Sequence, residues 1–424
     1  MDYIKLTNYR CYKELDLSFK SKINLLVGDN ASGKTTILRA LRSVLSTFFT
    51  GYSDENTRFF GLSKDDFTIQ QTQTGILTES PINIDFSLMR QEASLTLNTL
   101  KSRTLQTPLD SILQYSKQLK ERQFDTEGNR LLALPLFASF STEDIHSSRK
   151  LDMEPFKRYQ HKPSFGYYEC LQGEGFFRYW TKRMLVLQEG QKSLVEIDCV
   201  RLAVQHALGA EGCNIISDIE IRPNQGKVYY HFTDGREVDS ENLSDGYARL
   251  VNIVVDLAFR CALLNSGTFG SNAFYMTSGT VLIDEIDLHL HPSLQLVILK
   301  SLTKTFQGLQ FIVTTHAPMV MTGIENDANN VIYKLSYSPL VGYQKSTPDM
   351  YGQDASTIIE TALNTTARSK EVDEELTKLF EFIDEDNFTE ATALLNSMKE
   401  RFGDSLNDLA KAEAMLNFLV EEND

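Results

Sequence analysis

Gly28, Gly33, Lys34 and Thr35 follow the pattern G-x-x-x-x-G-K-T within Gly28–Thr36. Glycines at this spacing let successive backbone N–H groups turn inward toward an anion. The lysine brings positive charge to terminal phosphates, and the threonine hydroxyl is a ligand for magnesium. A plain Gly/Ser-rich turn matches the same letters, so the flanking context has to decide. Asp284 and Glu285 are adjacent carboxylates. The first is suited to order magnesium through its waters, the second to orient or deprotonate an attacking water. His316 could bond a terminal phosphate and sense its loss. Ser244, Asp245 and Gly246 stand where a helix begins and offer a hydroxyl and N–H groups to an anion. The same letters also make an ordinary helix cap. His289 and His291 could pair on a metal, but Pro292 directly after them reads as a turn before a helix.

The surrounding elements give these residues direction. Ile23–Val27 is a continuous apolar run, a buried strand that feeds the glycine loop. Ile37-Leu38-Arg39-Ala40-Leu41 lies in a helix expected over roughly Thr35 to Thr50, whose N-terminus adds its dipole to the loop. Thr280–Ile283 is a second buried strand. It delivers Asp284 and Glu285 at its C-terminal end, where ligands bind in open α/β sheets. Phe311–Thr315 does the same for His316. Behind Gly246, Leu250, Ile253, Val254, Leu257 and Ala258 repeat at helical spacing.

The remainder is less directive. Tyr3–Leu6 and Leu15–Phe19 alternate as two strands with Asn8-Tyr9-Arg10 on the turn. Arg10 would lie near a nucleotide or stay a solvated arginine. Residues 51–80 are polar and turn-rich. Gln70, Gln71 and Gln73 are candidates to touch magnesium or the attacking water, but for each one a surface loop is the favoured reading. A strand is expected at Ile82–Phe86, a helical insertion over 87–130, a central strand at Leu131–Phe140, and a loop or lid over 141–165 with Pro155 and Pro163. Phe176, Phe177, Tyr179 and Trp180 precede Lys182 and Arg183. Aromatics among basic residues suit nucleic acid, but at helical spacing they make one core face and one charged face. An amphipathic helix over 191–208 and strands through Ile215–Val238, with turns at Asn224-Gln225-Gly226 and Asp234-Gly235, complete the middle.

A chain of 424 residues can bury a sizeable core in about two or three lobes. Its net charge of −15 argues against a coat of phosphate-binding lysines, though a local basic patch stays compatible with it. The five cysteines form no C-x-x-C pair and suggest neither zinc nor a disulfide framework. No apolar run approaches a membrane span, and no leader is visible behind Met1, so a cytoplasmic protein without membrane contact is expected.

In order, G-D-N-A-S-G-K-T, L-S-D-G-Y, V-L-I-D-E and T-T-H-A-P resemble the P-loop, signature, Walker B and His-switch motifs of ABC-type ATPases. The N-Y-R-C-Y-K-E-L-D-L-S-F and I-D-L-H-L-H-P segments are similar to its SMC/RecF-like branch. The fold class this implies is α/β: a P-loop NTPase of ABC-ATPase type with an N-terminal antiparallel β layer, a mainly helical insertion and a C-terminal helical tail. Its parts would be the head in two pieces, 1–86 and 214–345, the insertion 87–213 and the tail 346–424. The resemblance implies ATP and Mg2+, with Asn30, Ala31, Ser32, Gly33, Lys34, Thr35 and Thr36 on the phosphates, Thr35 and Asp284 on the metal, and Glu285 and His316 in hydrolysis. In that family two heads sandwich ATP. Ser244, Asp245 and Gly246 would then face the γ-phosphate held by the other subunit, and Asp287 would fall near the loop that crosses the interface.

Two departures matter. The signature is L-S-D-G-Y where transporters and SMC heads have L-S-G-G-Q; Asp245 puts a carboxylate beside a phosphate site, which counts against transport and for slow turnover. No long heptad coiled coil separates the lobes. The tail from Tyr351-Gly352-Gln353-Asp354, with Glu374, Leu376, Leu379, Phe380, Phe382 and Ile383 as a helical stripe, resembles that of anti-phage ATPases, the Septu ATPases and those accompanying retrons. No acidic Toprim-type nuclease module follows His316. The resemblance therefore implies a homodimer or higher oligomer acting as a switch on a separate effector, often an HNH-type nuclease. The alternative is a RecF-like repair ATPase with DNA across the dimerised heads; a scaffold that only binds ATP would have no need of Glu285.

Overall fold

The computed structural model describes residues 1–72, 75–100, 109–128, 131–142, 158–159, 162–173, 176–191, 194–362, 368–403 and 406–423. Gln73, Pro155 and most of the expected loop or lid at 141–165 lie outside the described residues. The chain divides into two compact units, Met1–Ala355 and Ser356–Asp424.

The first unit is built on a six-stranded sheet in the order β15-β14-β3-β13-β12-β8. The strands are β3 (Ile23–Gly28), β8 (Leu136–Phe140), β12 (Gly279–Ile283), β13 (Leu309–Thr314), β14 (Asn330–Ser338) and β15 (Gly342–Ser346). All neighbours pair in parallel except β14 and β15, which form an antiparallel hairpin at one edge. Every residue of β3 and β13 is buried, as expected of strands covered on both faces of a parallel sheet. Strand β8 is shorter than the expected Leu131–Phe140: Leu131 ahead of it is exposed.

A four-stranded antiparallel sheet, β2-β1-β6-β7, forms a second layer from β1 (Tyr3–Tyr9), β2 (Tyr12–Ser18), β6 (Ile82–Leu88) and β7 (Gln91–Leu97). Strand β7 corrects the reading of 87–130 as helical. It pairs with β6 around Met89 and Arg90, both at positive φ (55° and 61°). A two-residue turn of that kind normally carries Asn-Gly or Asp-Gly, so the hairpin left no turn signal. Only α2 (Asp110–Glu121) is helical among the described residues of that stretch. A short hairpin, β4 (Ile69–Thr72) with β5 (Gly75–Thr78), and a three-stranded sheet of β9 (Ile216–Arg222), β10 (Lys227–Phe232) and β11 (Glu237–Asp239) complete the strands. Gly226 and Gly235 make the turns of that sheet at positive φ, 66° and 88°.

Four helices matter for the site and its support: α1 (Lys34–Ser46), α3 (Phe177–Glu189), α4 (Leu194–Leu208) and α5 (Asp245–Phe269). Phe176, Tyr179 and Trp180 are core residues, not a binding surface: the Trp180 ring stacks on Phe259 of α5 at 4.7 Å. Its indole N–H donates to Asp256 (2.7 Å), which also pairs with Arg260 at 2.6 Å. Arg183 likewise turns inward, in a two-pronged pair with Glu196 (2.8 and 3.0 Å).

The second unit packs α8 (Lys370–Asp384), α9 (Phe388–Phe402) and α10 (Asn407–Asn423), preceded by α7 (Ala355–Ala362) at the unit boundary; α6 (Ile298–Thr305) belongs to the first unit. Leu376, Leu379 and Ile383 of the predicted stripe sit in its core with Leu395, Met398 and Leu409, while Phe380 and Phe382 flank it.

Candidate active site

Strand β3 ends at Gly28 and α1 begins at Lys34, so the phosphate-loop candidates occupy the turn between them. Gly28 and Gly33 adopt φ of +143° and +93°, backbone that residues with a Cβ resist. Both are also closely pressed. A Cβ on Gly28 would lie 2.1 Å from the Leu335 carbonyl oxygen, and one on Gly33 2.2 Å from the Tyr12 hydroxyl. That hydroxyl donates to the Ser32 carbonyl at 3.0 Å. Tyr12, from β2, thus braces the loop.

Lys34 is buried. Its Nζ donates to the carbonyls of Gly28 (2.8 Å) and Asp29 (2.9 Å). Burial lowers its pKa, and the carboxylates of Asp284, Glu285, Asp29 and Asp287 oppose that shift. A polyphosphate would bring further negative charge beside this desolvated ammonium and favour its charged form.

Asp284 and Glu285 follow β12 and are locked by Thr314 at the end of β13. The Thr314 hydroxyl donates to Asp284 Oδ1 (2.5 Å) and accepts the backbone N–H of Glu285 (2.8 Å). Glu285 sits at φ +47°, a conformation uncommon for any residue but glycine. Its carbonyl and that of Asp284 accept from Arg249 (2.9 and 2.6 Å). His316 follows on the adjacent strand, with Nε2 4.0 Å from Glu285 Oε1. Thr315 donates to Asp287 (2.6 Å) and so fixes the loop beyond Glu285.

These residues surround a pocket of about 280 Å³. Asn30, Ala31, Gly33, Lys34, Thr35 and Thr36 line it from the loop, and Asp284, Glu285 and His316 from the strand ends; Cys11 and Tyr343 complete the lining. Ser32 is buried behind Lys34. Thr35 and Asp284 share the pocket and fit a magnesium ion; when bound it would neutralise charge on phosphate oxygens.

Ser244, Asp245 and Gly246 do not line the pocket. Ser244 and Asp245 are exposed, and the Ser244 side chain does not cap its own helix although it occupies the N-cap position. Gly246 packs so tightly on the loop after β12 that a Cβ would meet the His289 carbonyl at 2.3 Å. Arg10 pairs with the buried Asp66 (3.5 Å) and does not line the pocket. His291 Nδ1 accepts from the Ser293 N–H and caps the turn at Pro292 (3.3 Å).

Cys11, Tyr12, Tyr343 and Arg249 were not anticipated. Tyr343 and Arg249 belong to no motif, and Cys11 and Tyr12 stand in the N-Y-R-C-Y segment, which by itself assigns them no role. Tyr343 enters from an edge hairpin more than 300 residues from the loop it faces, and no local signal could have found it.

Comparison with known proteins agrees with this geometry. The profile described as "AAA domain, putative AbiEii toxin, Type IV TA system" (AAA_21) matches residues 23–322. The chain belongs to the AAA_21 family. It is similar to the protein named "Retron Vc95 probable ATPase" of Vibrio cholerae serotype O1 biovar El Tor, with 25% identity over 87% of this chain and 80% of that protein. The "Retron Ec83 probable ATPase" of Escherichia coli is 27% identical over 76% of this chain and 69% of that one. "Septu protein PtuA" of Bacillus thuringiensis is 22% identical over 91% and 89%. Motif order, sheet topology and family together make the head an ABC-type P-loop ATPase fold.

Proposed function

We propose that this AAA_21 protein binds and hydrolyses ATP with Mg2+ and acts as a nucleotide-dependent switch in a bacterial anti-phage defence complex, controlling a separate nuclease or other effector. One observation carries the dimeric form of this reading. The P-loop, Asp284, Glu285 and His316 share one pocket, while Ser244 and Asp245 stand exposed outside it and Gly246, half-buried, does not line it either. A site that uses both sets needs a second copy, whose Ser244 and Gly246 close over the terminal phosphate. In this reading 1–86 and 214–345 form the head, 87–213 the insertion and 346–424 the C-terminal region.

Chemically, Lys34 and the loop N–H groups hold the phosphates, and Thr35 and Asp284 hold magnesium. Glu285 accepts a proton from water, and His316 bonds the terminal phosphate. The defence role and the separate effector are supported by the similarity to retron and Septu proteins across most of the chain. Among the described residues no helix is long and apolar enough to cross a membrane, in keeping with a cytoplasmic role. The net charge of −15 makes a DNA-binding groove of RecF type the weaker reading.

The test is the mass in solution of the Glu285→Gln protein with and without Mg-ATP, read by light scattering. This variant should bind ATP, turn over about 10²–10⁴-fold more slowly, and double its mass on ATP addition. A low mass that ATP leaves unchanged would sink the sandwich; a high mass without ATP would mean the heads are already locked in a larger assembly.

A further inference from the structure

The residues that line the pocket reach it from two sides of the phosphate loop. In the order β15-β14-β3-β13-β12-β8, Asp284, Glu285 and His316 follow β12 and β13, on one side of β3. Tyr343 lies on β15, on the other side. Cys11 belongs with it, since it lines the same pocket beside the side chains of Tyr343 and Thr36. A nucleotide is an elongated molecule. If its terminal phosphate points to Glu285 and its other phosphates lie on the loop, its base leaves on the Tyr343 side.

We propose that Tyr343 is the platform on which the nucleobase packs; this rests on the nucleotide-binding reading above. Three contacts hold the ring in advance. It pairs across the hairpin with Tyr337, with ring centroids 4.8 Å apart. It meets the buried Tyr12 edge-on at 5.1 Å. Its hydroxyl side reaches Cys11. Tyr12 in turn holds the Ser32 carbonyl, so one run of rings sets the distance from base platform to phosphate loop. An aromatic face ordered before binding loses little entropy when a base settles on it. The half-buried ring still lines the pocket. On this side the lining offers an aromatic ring, a thiol and a hydroxyl, groups suited to packing against a base more than to reading its edges.

The test compares Mg-ADP with Mg-pyrophosphate, neither of which is turned over, by calorimetric titration of the full chain as wild type, Tyr343→Ala and Tyr343→Phe. The alanine variant should bind ADP about 5- to 100-fold more weakly, with pyrophosphate affinity unchanged. The phenylalanine variant keeps the ring and should bind ADP as the wild type does. Unchanged ADP affinity in the alanine variant overturns the platform and leaves the phosphate loop standing. So does an equal loss for both ligands, since the ring would then only prop the loop through Tyr12. Wild-type protein that binds neither ligand overturns the nucleotide reading and the platform together.

Discussion

At the scale of single residues, the site depends on a few atoms in uncomfortable places. Lys34 keeps its ammonium out of water, held by two loop carbonyls. Gly33 cannot carry a side chain without displacing Tyr12. Glu285 is held at a left-handed φ by Thr314 on its N–H and Arg249 on its carbonyl; strain of this kind persists only where neighbours enforce it. Lys34→Ala removes the charge on the phosphates and should abolish detectable ATP binding in a fluorescent-nucleotide titration. An affinity equal to that of the wild type would rule out the phosphate-loop assignment. The motif residues were legible because their chemistry is written in their spacing. Tyr12 and Arg249 were not, since a bracing tyrosine and a tethering arginine look like any others until the chain folds.

At the scale of elements, α5 joins the two halves of the proposed composite site. Its N-terminus carries the exposed Ser244 as N-cap and the half-buried Gly246 in the first turn, and Arg249 bonds the carbonyls of Asp284 and Glu285. Further along, Asp256 and Arg260 pair in the core beneath Trp180, so the helix is anchored where burial leaves an unpaired charge most costly. Arg249→Ala should therefore leave ATP binding intact and lower turnover roughly ten- to a hundred-fold, the usual cost of losing a supporting hydrogen bond at a site. Steady-state phosphate release beside a binding titration checks this; an equal loss of binding would show that Arg249 merely holds the pocket together. The helix itself was plain from its apolar period. The β6–β7 hairpin was not, because Met89 and Arg90 occupy a turn that sequence reasoning reserves for Asn and Gly.

At the scale of the whole molecule, the proposal is that one chain is half of two sites. Ser244→Arg puts a long cation where the partner's Lys34 and phosphates would lie. It should block ATP-dependent dimerisation while leaving each pocket able to bind nucleotide. Sedimentation of this variant in Mg-ATP checks it, and a stable dimer would refute the face-to-face arrangement. The helical unit from Ser356 onward has its own core of Leu376, Leu379, Ile383 and Leu395, so it is the natural part to remove when asking whether the head dimerises alone. The sequence by itself determined the glycine-rich loop, the paired carboxylates, His316 at a strand end and the strands and helices that carry them, because each is a local pattern that needs only neighbours in the chain. Only the tertiary structure decided that Tyr343 and Cys11 share the pocket, that Arg249 ties α5 to the carboxylate loop, and that Ser244 stays outside. Those facts depend on which strands lie beside β3, and strand order is set by long-range packing that no short stretch of sequence encodes.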